Sequence, residues 1–94
     1  MNVIWSESAV GHLEGISDYL SGEGVGATEI VRRRILETVR RVGVMPHSGR
    51  TGRIAGTREA VVPRTPYIVV YQVSVAAVEI LGIWHGARLW PETF

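Results

Sequence analysis

The chain lacks cysteine, lysine and any long apolar run, and each absence narrows its class. Without cysteine it can form neither disulfide bonds nor thiolate metal sites, a composition that suits the cytosol. No apolar run approaches the roughly 18 residues needed to span a bilayer. Residues 1–8 show no basic segment ahead of an apolar stretch, as a secretory signal would. We therefore expect a cytoplasmic protein with no membrane segment.

The remaining composition is that of a single globular domain spanning residues 1–94. Of its residues, 46% are hydrophobic and 20% are charged, which is typical of a soluble folded protein and not of a disordered one. The three histidines, His12, His47 and His85, show no metal-ligand spacing. We therefore expect neither a metal site nor another cofactor.

The net charge of +1 conceals an uneven distribution along the chain. Residues 1–31 carry five acidic side chains and no basic one. Residues 32–64 carry nine arginines against two glutamates, and residues 65–94 carry one arginine against two glutamates. A basic segment of this kind indicates either a surface for an anionic partner or a solvated helix face. Charge alone does not decide between them.

Two amphipathic helices are predicted in the first half of the chain. Ser6 is a suitable N-cap, and apolar residues then recur at helical spacing at Ala9, Leu13, Ile16 and Leu20. Closely spaced glycines interrupt the pattern, so the first helix should end near Ser21. A second apolar stripe runs from Ala27 to Val42, and Gly43 marks its end.

After the second helix the periodicity becomes extended. Residues 47–53 are polar and Gly-rich and are predicted to form a loop. The β-type runs are Val3–Trp5, Arg58–Val62, Tyr67–Val73 and Val78–Trp84. The run at Tyr67–Val73 is apolar on both faces, as in a central strand that is covered on both sides. Its connections of about four residues are too short for parallel crossovers, so the last three strands should form an antiparallel meander.

These elements predict an α+β domain in the order β-α-α-β-β-β. The sheet should have four mostly antiparallel strands, with the two-helix hairpin packed on one side.

Several residue blocks, in order and at suitable spacing, resemble the ParE/RelE toxin family. The blocks are Trp5-Ser6-x-x-Ala9, Pro46-x-x-Gly49-Arg50-x-Gly52-Arg53, Gly56-Thr57-Arg58-Glu59, Pro66-Tyr67-Ile68-Val69-Val70-Tyr71 and Trp84-His85-Gly86-Ala87-Arg88-x-Trp90-Pro91. The resemblance covers nearly the whole chain. It implies the toxin of a type II toxin–antitoxin system, neutralised by a cognate antitoxin. In ParE-like members the target is DNA gyrase, whereas RelE-like members are ribosome-dependent endoribonucleases that cut mRNA.

Departures from the RelE pattern favour the ParE branch. Cutting RNA requires a general base, a general acid and cations for the charge that develops on phosphate. At the sheet positions where the resemblance places lysines and an arginine, this chain has Glu59, Val61 and Ile68. A carboxylate and two aliphatic side chains cannot neutralise a phosphate. We therefore expect a toxin that acts by binding gyrase and not as an enzyme.

Two alternatives stay open from the sequence. In a RelE-type nuclease, His85 would act as base, with Arg88 and Arg58 as phosphate clamps. A third possibility is a toxin-like remnant that is no longer toxic. If the chain is instead a gyrase-binding toxin, the candidate target contacts are Arg50, Arg53, Arg58, Arg88 and Trp90.

Overall fold

The computed structural model describes residues 1–88 and residue 90, and these residues form two helices and a five-stranded sheet. The elements are β1 (Asn2–Trp5), α1 (Glu7–Leu20), α2 (Ala27–Val44), β2 (Arg50–Thr51), β3 (Arg58–Val61), β4 (Tyr67–Val73) and β5 (Ala77–His85). The strand order is β1-β5-β4-β3-β2. β1 is parallel to β5, and the other pairs are antiparallel. The predicted α+β class and the antiparallel meander are confirmed.

The fifth strand corrects the prediction of a four-stranded sheet. β2 (Arg50–Thr51) lies in the segment predicted to be a loop, and it pairs antiparallel with the start of β3. The Gly49 N–H donates to the Tyr71 hydroxyl at 2.9 Å, and the Arg50 Nη2 donates to Glu59 Oε1 at 2.9 Å. The Tyr71 contact joins parts of the chain that are 22 residues apart. β2 itself has only two residues, too few for a visible strand pattern in a polar, Gly-rich segment.

Helix α1 has the bounds that its sequence predicts. The Ser6 hydroxyl accepts a hydrogen bond from the Ala9 N–H at 3.0 Å, which satisfies one of the free N–H groups in the first turn. The helix ends at Leu20, and Ser21 caps it. The glycines that follow make the turn into α2, where Gly26 adopts a positive φ of 80°.

Helix α2 runs through Gly43 to Val44, slightly beyond its predicted end. Gly43 does not stop the helix, and its missing side chain serves packing instead. A Cβ at this position would lie 2.8 Å from the Val3 side chain. Glycine therefore lets β1 approach the end of α2, and the N-terminal ammonium of Met1 donates to the Gly43 carbonyl at 2.9 Å.

The hydrophobic core lies between the helix pair and one face of the sheet. Helix residues Ile35, Val39 and Val42 pack there with the inward-facing strand residues. In β4, all five residues from Tyr67 to Tyr71 are buried. This confirms the predicted central strand covered on both faces, and it shows that something other than the helices covers the second face.

Helix α1 also closes an open edge of the sheet. β1 ends at Trp5, so the second half of β5 has no strand partner on that side among the described residues. The Ile83 N–H instead donates to His12 Nδ1 at 3.1 Å, and the Ser6 hydroxyl donates to the Leu81 carbonyl at 3.2 Å. Burial lowers the pKa of His12, which keeps its ring neutral and its Nδ1 able to accept.

Neither helix in the described part of the chain combines the length and the apolar character required to cross a bilayer.

Candidate functional site

The sheet face opposite the helices carries a cluster of charged and aromatic side chains. Tyr67 and Tyr71 belong to the core shared with the helices. Strand alternation therefore places Ile68 and Val70 on the opposite face. Glu59 pairs with Val70 and shares that face. We call the following residues the sheet-face cluster: Arg50, Arg53, Glu59, Trp84 and Trp90.

Glu59 lies at the centre of the sheet-face cluster. Its side chain is only 2% exposed, whereas those of Arg50 and Arg53 are 54% and 43% exposed. Arg50 donates from Nε and Nη2 to Oε1, at 3.2 and 2.9 Å. Arg53 donates to Oε2 from its backbone N–H at 2.8 Å and from Nε at 3.2 Å. One buried carboxylate therefore fixes two guanidinium groups.

The Glu59 carboxylate stays ionised despite its burial. Burial alone would raise the pKa of this carboxyl, but the hydrogen bonds from the Arg53 backbone and from both guanidinium groups outweigh that effect and lower its pKa. The three side chains together carry a net charge of +1. Most of the attraction that the two arginines could offer to an external anion is therefore already used within the protein.

The cluster extends from Arg53 to the C-terminal segment. The Arg53 guanidinium carbon lies 3.6 Å from the centroid of the Trp90 ring, a cation–π contact. The Trp90 Nε1 donates to the His85 carbonyl at 3.3 Å, and its ring lies 6.2 Å from that of Trp84. Trp90 therefore helps to cover the face of the sheet that the helices leave open.

A second group of candidate site residues lies at the other end of β4. His85 pairs with Tyr67, and their rings meet edge to face with centroids 5.9 Å apart. Arg88 and Tyr19 join them around two adjoining cavities beside α1, of about 390 and 230 Å³. We call these two cavities the helix-side groove. Burial raises the pKa of Tyr67, although the nearby positive charge of Arg88 opposes that rise.

Arg58 does not join His85 and Arg88. It pairs with Tyr71, whereas His85 pairs with Tyr67. These two positions are four residues apart along β4, which corresponds to roughly 13 Å. The Arg58 guanidinium donates instead to the carbonyls of Gly49 and His47, at 2.9 and 3.3 Å. The structure thus brings together two of the three residues proposed for a nuclease.

The three positions that depart from the nuclease pattern, Glu59, Val61 and Ile68, lie on one face of the sheet. Val61 pairs with Ile68, and Glu59 lies two residues before Val61 on the same side of β3. None of the three can donate a proton to phosphate oxygen or offset its charge. Among the described residues, no three His, Asp or Glu side chains could hold a metal ion together. This surface is suited to binding by shape, stacking and guanidinium contacts.

The sequence reasoning missed two residues that shape these sites. The sequence does not show that Glu59 binds both Arg50 and Arg53. The available signal is that Glu59 is the one acid among the four arginines of residues 50–64. Arg64 was not singled out either, although a Pro-Arg-Thr-Pro sequence signals a constrained turn. It lines the smaller cavity of the groove.

Comparisons with known proteins agree with this architecture. The sequence pattern of the family described as "ParE toxin of type II toxin-antitoxin system, parDE" matches residues 3–90. A Sinorhizobium fredii protein, "Putative toxin Y4kP", is 38% identical over 88 residues, which cover 94% of this chain and 91% of that protein. A solved structure titled "Chromosomal ParDE TA system from P. aeruginosa" matches with a TM-score of 0.79 at 24% identity, covering 90% of this chain and 95% of that one.

The structural match establishes the fold, and the sequence matches establish the family. The pattern match covers both candidate sites described above, the sheet-face cluster and the helix-side groove. The chain belongs to the ParE family, the toxins of type II toxin–antitoxin systems.

Proposed function

We propose that this toxin arrests growth by binding and poisoning DNA gyrase, and that a cognate antitoxin neutralises it. The observation that carries the proposal is the buried Glu59, bound to Arg50 and Arg53 where a nuclease of this fold would need free cations. Because the Glu59 carboxylate already binds both guanidinium groups, they offer a phosphate less charge than free cations would. The sheet face is therefore suited to a binding toxin and not to RNA cleavage.

The described residues offer few of the groups that RNA cleavage requires. A general base requires neighbouring cations that stabilise the charge on the scissile phosphate. His85 has Arg88 near it, but Arg58 is engaged with backbone carbonyls at the far end of β4. This separation favours binding over catalysis.

The proposed target contacts are Arg50, Arg53, Arg58, Arg88 and Trp90. The first two present guanidinium groups that are about half exposed and held in place by Glu59. Aromatic and arginine side chains that are fixed before binding lose little conformational entropy at an interface. Arg53 stacked on Trp90 would therefore act as one rigid anchor for the target protein.

The proposed antitoxin partner follows from family membership and from the ParDE system of the structural relative. Since gyrase acts on chromosomal DNA, the proposed site of action is the bacterial cytoplasm. We infer that the antitoxin covers exposed apolar surface on the toxin and folds as it binds.

The test is to induce the toxin alone in a bacterial host and follow DNA and protein synthesis separately by pulse labelling. We expect DNA synthesis to stop first. In a mixture of purified toxin, purified gyrase and plasmid, we expect cleaved plasmid to accumulate. His85→Ala should keep both effects, because a gyrase-binding toxin does not use His85 as a base. If translation stops first with cleaved mRNA, and His85→Ala abolishes the effect, the chain is a nuclease. Unaffected growth with folded toxin would mark a non-toxic remnant.

A further inference from the structure

The helix-side groove has a shape that suits an extended ligand. Its two cavities, of about 390 and 230 Å³, share Tyr19, Tyr67, His85 and Arg88 as common walls. The larger cavity runs along α1, and the smaller one continues towards the turn between β3 and β4. A ligand that follows both would contact a helix, two strand ends and a turn.

The groove is positively charged and lacks acids among its described lining residues. Arg88 lines both cavities, and Arg64 lines the smaller one. Within the part of the chain that the structure describes, the salt bridges all involve Glu59, so neither Arg64 nor Arg88 has a carboxylate partner. Two arginines, a histidine and two tyrosines therefore line the groove. Such a set of donors fits a carboxylate.

Arg64 is held towards this space at some conformational cost. Its φ of 60° is left-handed, a conformation that favours glycine. The surrounding turn is rigid: the Thr65 hydroxyl accepts from the Tyr67 N–H and donates to the Val62 carbonyl, each at 3.0 Å. Arg34 donates to the Arg64 carbonyl at 3.3 Å. Strain of this kind in a non-glycine residue is typical of binding sites.

Beside the donors, the groove offers apolar walls with room between them. Ile16 and Ile83 line the larger cavity, and Leu20 and Val31 line the smaller one. On α1, a Cβ built at Gly15 would meet no atom within 4 Å, so that wall is open. The ligand that fits should therefore combine a carboxylate with apolar side chains on either side of it.

We propose that the helix-side groove binds a peptide segment in which an acidic residue is flanked by aliphatic residues, and that the antitoxin supplies this segment. The acidic side chain would contact Arg64 and Arg88, while its neighbours would contact the apolar walls. The assignment to the antitoxin rests on the proposed function. The charge and shape of the groove are independent of the proposed function.

The test uses two synthetic peptides that differ in one charge. Toxin made by cell-free synthesis and labelled with ¹⁵N is titrated with acetyl-Leu-Glu-Leu-amide and with acetyl-Leu-Gln-Leu-amide. The expected result is a saturable shift of the Gly15 and Gly86 amide signals with the first peptide. The second should bind about tenfold more weakly or worse, because it lacks the charge-assisted hydrogen bonds.

Two variants and a control assign the charge recognition to the groove. Arg88→Met keeps an apolar stem, and Arg64→Gly suits the left-handed backbone, so both should fold. Each should weaken binding of the glutamate peptide about tenfold. Arg33→Met changes charge equally on an exposed part of α2 that lines neither cavity, and it should leave binding unchanged.

Three results would overturn the proposal. Equal binding of the two peptides would make the groove merely apolar. Inorganic phosphate that shifts the same amides and displaces the peptide would make it a phosphate site. An absence of shifts with either peptide would mean that it binds no such segment. The titration needs neither gyrase nor antitoxin, so its outcome is independent of whether pulse labelling supports gyrase as the target.

Discussion

The sheet-face cluster and the helix-side groove both contain arginines, but they use the positive charge in opposite ways. In the cluster, Arg50 and Arg53 share the buried carboxylate of Glu59. In the groove, Arg64 and Arg88 have no such partner among the described residues. The same side chain therefore serves structure on one side of the domain and remains available to a ligand on the other.

The comparison teaches that a count of arginines does not locate a binding site for anions. The basic segment, residues 32–64, contains members of both groups. What separates them is whether the fold places a carboxylate within reach. Substitutions in the cluster should consequently change the stability of the protein. Substitutions in the groove should change its affinity for a charged ligand.

The largest expected effect comes from removing the charge that the cluster depends on. Glu59→Gln weakens the hydrogen bonds that two half-exposed guanidinium groups donate, and we expect it to lower the free energy of unfolding by about 2 kcal/mol. Urea denaturation at pH 7 measures this. Because the folded-state pKa of Glu59 is lowered, its contribution is full above the unfolded-state pKa near 4.5 and is lost as the pH falls through the folded-state value.

Glu37→Gln is the matched control for that change, since Glu37 is exposed on α2. It should change the free energy of unfolding by less than about 0.5 kcal/mol. If Glu59→Gln were equally mild, the cluster would not be a structural ion network, and the contrast with the groove would disappear.

A smaller effect is expected where the cluster meets the C-terminal segment. The Arg53–Trp90 contact should contribute a coupling energy of about 0.5–1 kcal/mol. A double-mutant cycle with Arg53→Met and Trp90→Leu, followed by urea denaturation, isolates it. A coupling energy near zero would show that Glu59 alone positions Arg53 and that Trp90 packs there independently.

The smallest expected effect tests the groove side, where His12 must stay neutral to accept from the Ile83 N–H. Its folded-state pKa is lowered, so the unfolded chain binds more protons below the ordinary value of 6.5, and stability falls as the pH drops below that value. Because the ring is partly exposed and screened by water, we expect a loss of about 0.5 kcal/mol between pH 7 and pH 5.

Thermal denaturation across this pH range measures the His12 effect. His12→Asn supplies an uncharged acceptor and should abolish that part of the pH dependence, whereas His47→Asn should leave it intact. If His47→Asn abolished the pH dependence and His12→Asn did not, the contact between His12 and the Ile83 N–H would not be its cause.

Much of the fold could be predicted because its signals are local. The Ser6 cap, the apolar stripes of the helices and the β-branched run of β4 each act over a few residues. β2 could not be predicted, since it has only two residues and the Gly49 contact beside it reaches Tyr71, 22 residues further along the chain. The parallel partner of β1 was also outside the reach of local patterns.

The candidate sites were less predictable than the fold, for a related reason. The sequence identified Arg50, Arg53 and Trp90 as target contacts, but not that Glu59 joins the two arginines. The sequence also suggested that Arg58 lies near His85. Strand register separates the two residues along β4, and register cannot be read from spacing alone. Pairing across strands decides which residues meet, and it is a property of the whole sheet.

The close packing at Gly49 also limits how this sequence can change over generations. A Cβ there would overlap the Tyr71 hydroxyl and lie 2.9 Å from the Glu59 carbonyl oxygen, whereas a Cβ at Gly22, after α1, would meet only the Tyr19 carbonyl oxygen at 3.9 Å. Substitutions should therefore accumulate freely at Gly22. At Gly49, almost any of them would inactivate the toxin without altering a residue that touches its target. A single substitution at Gly49 of the toxin could thus relieve the host bacterium of growth arrest while every target contact stays unchanged.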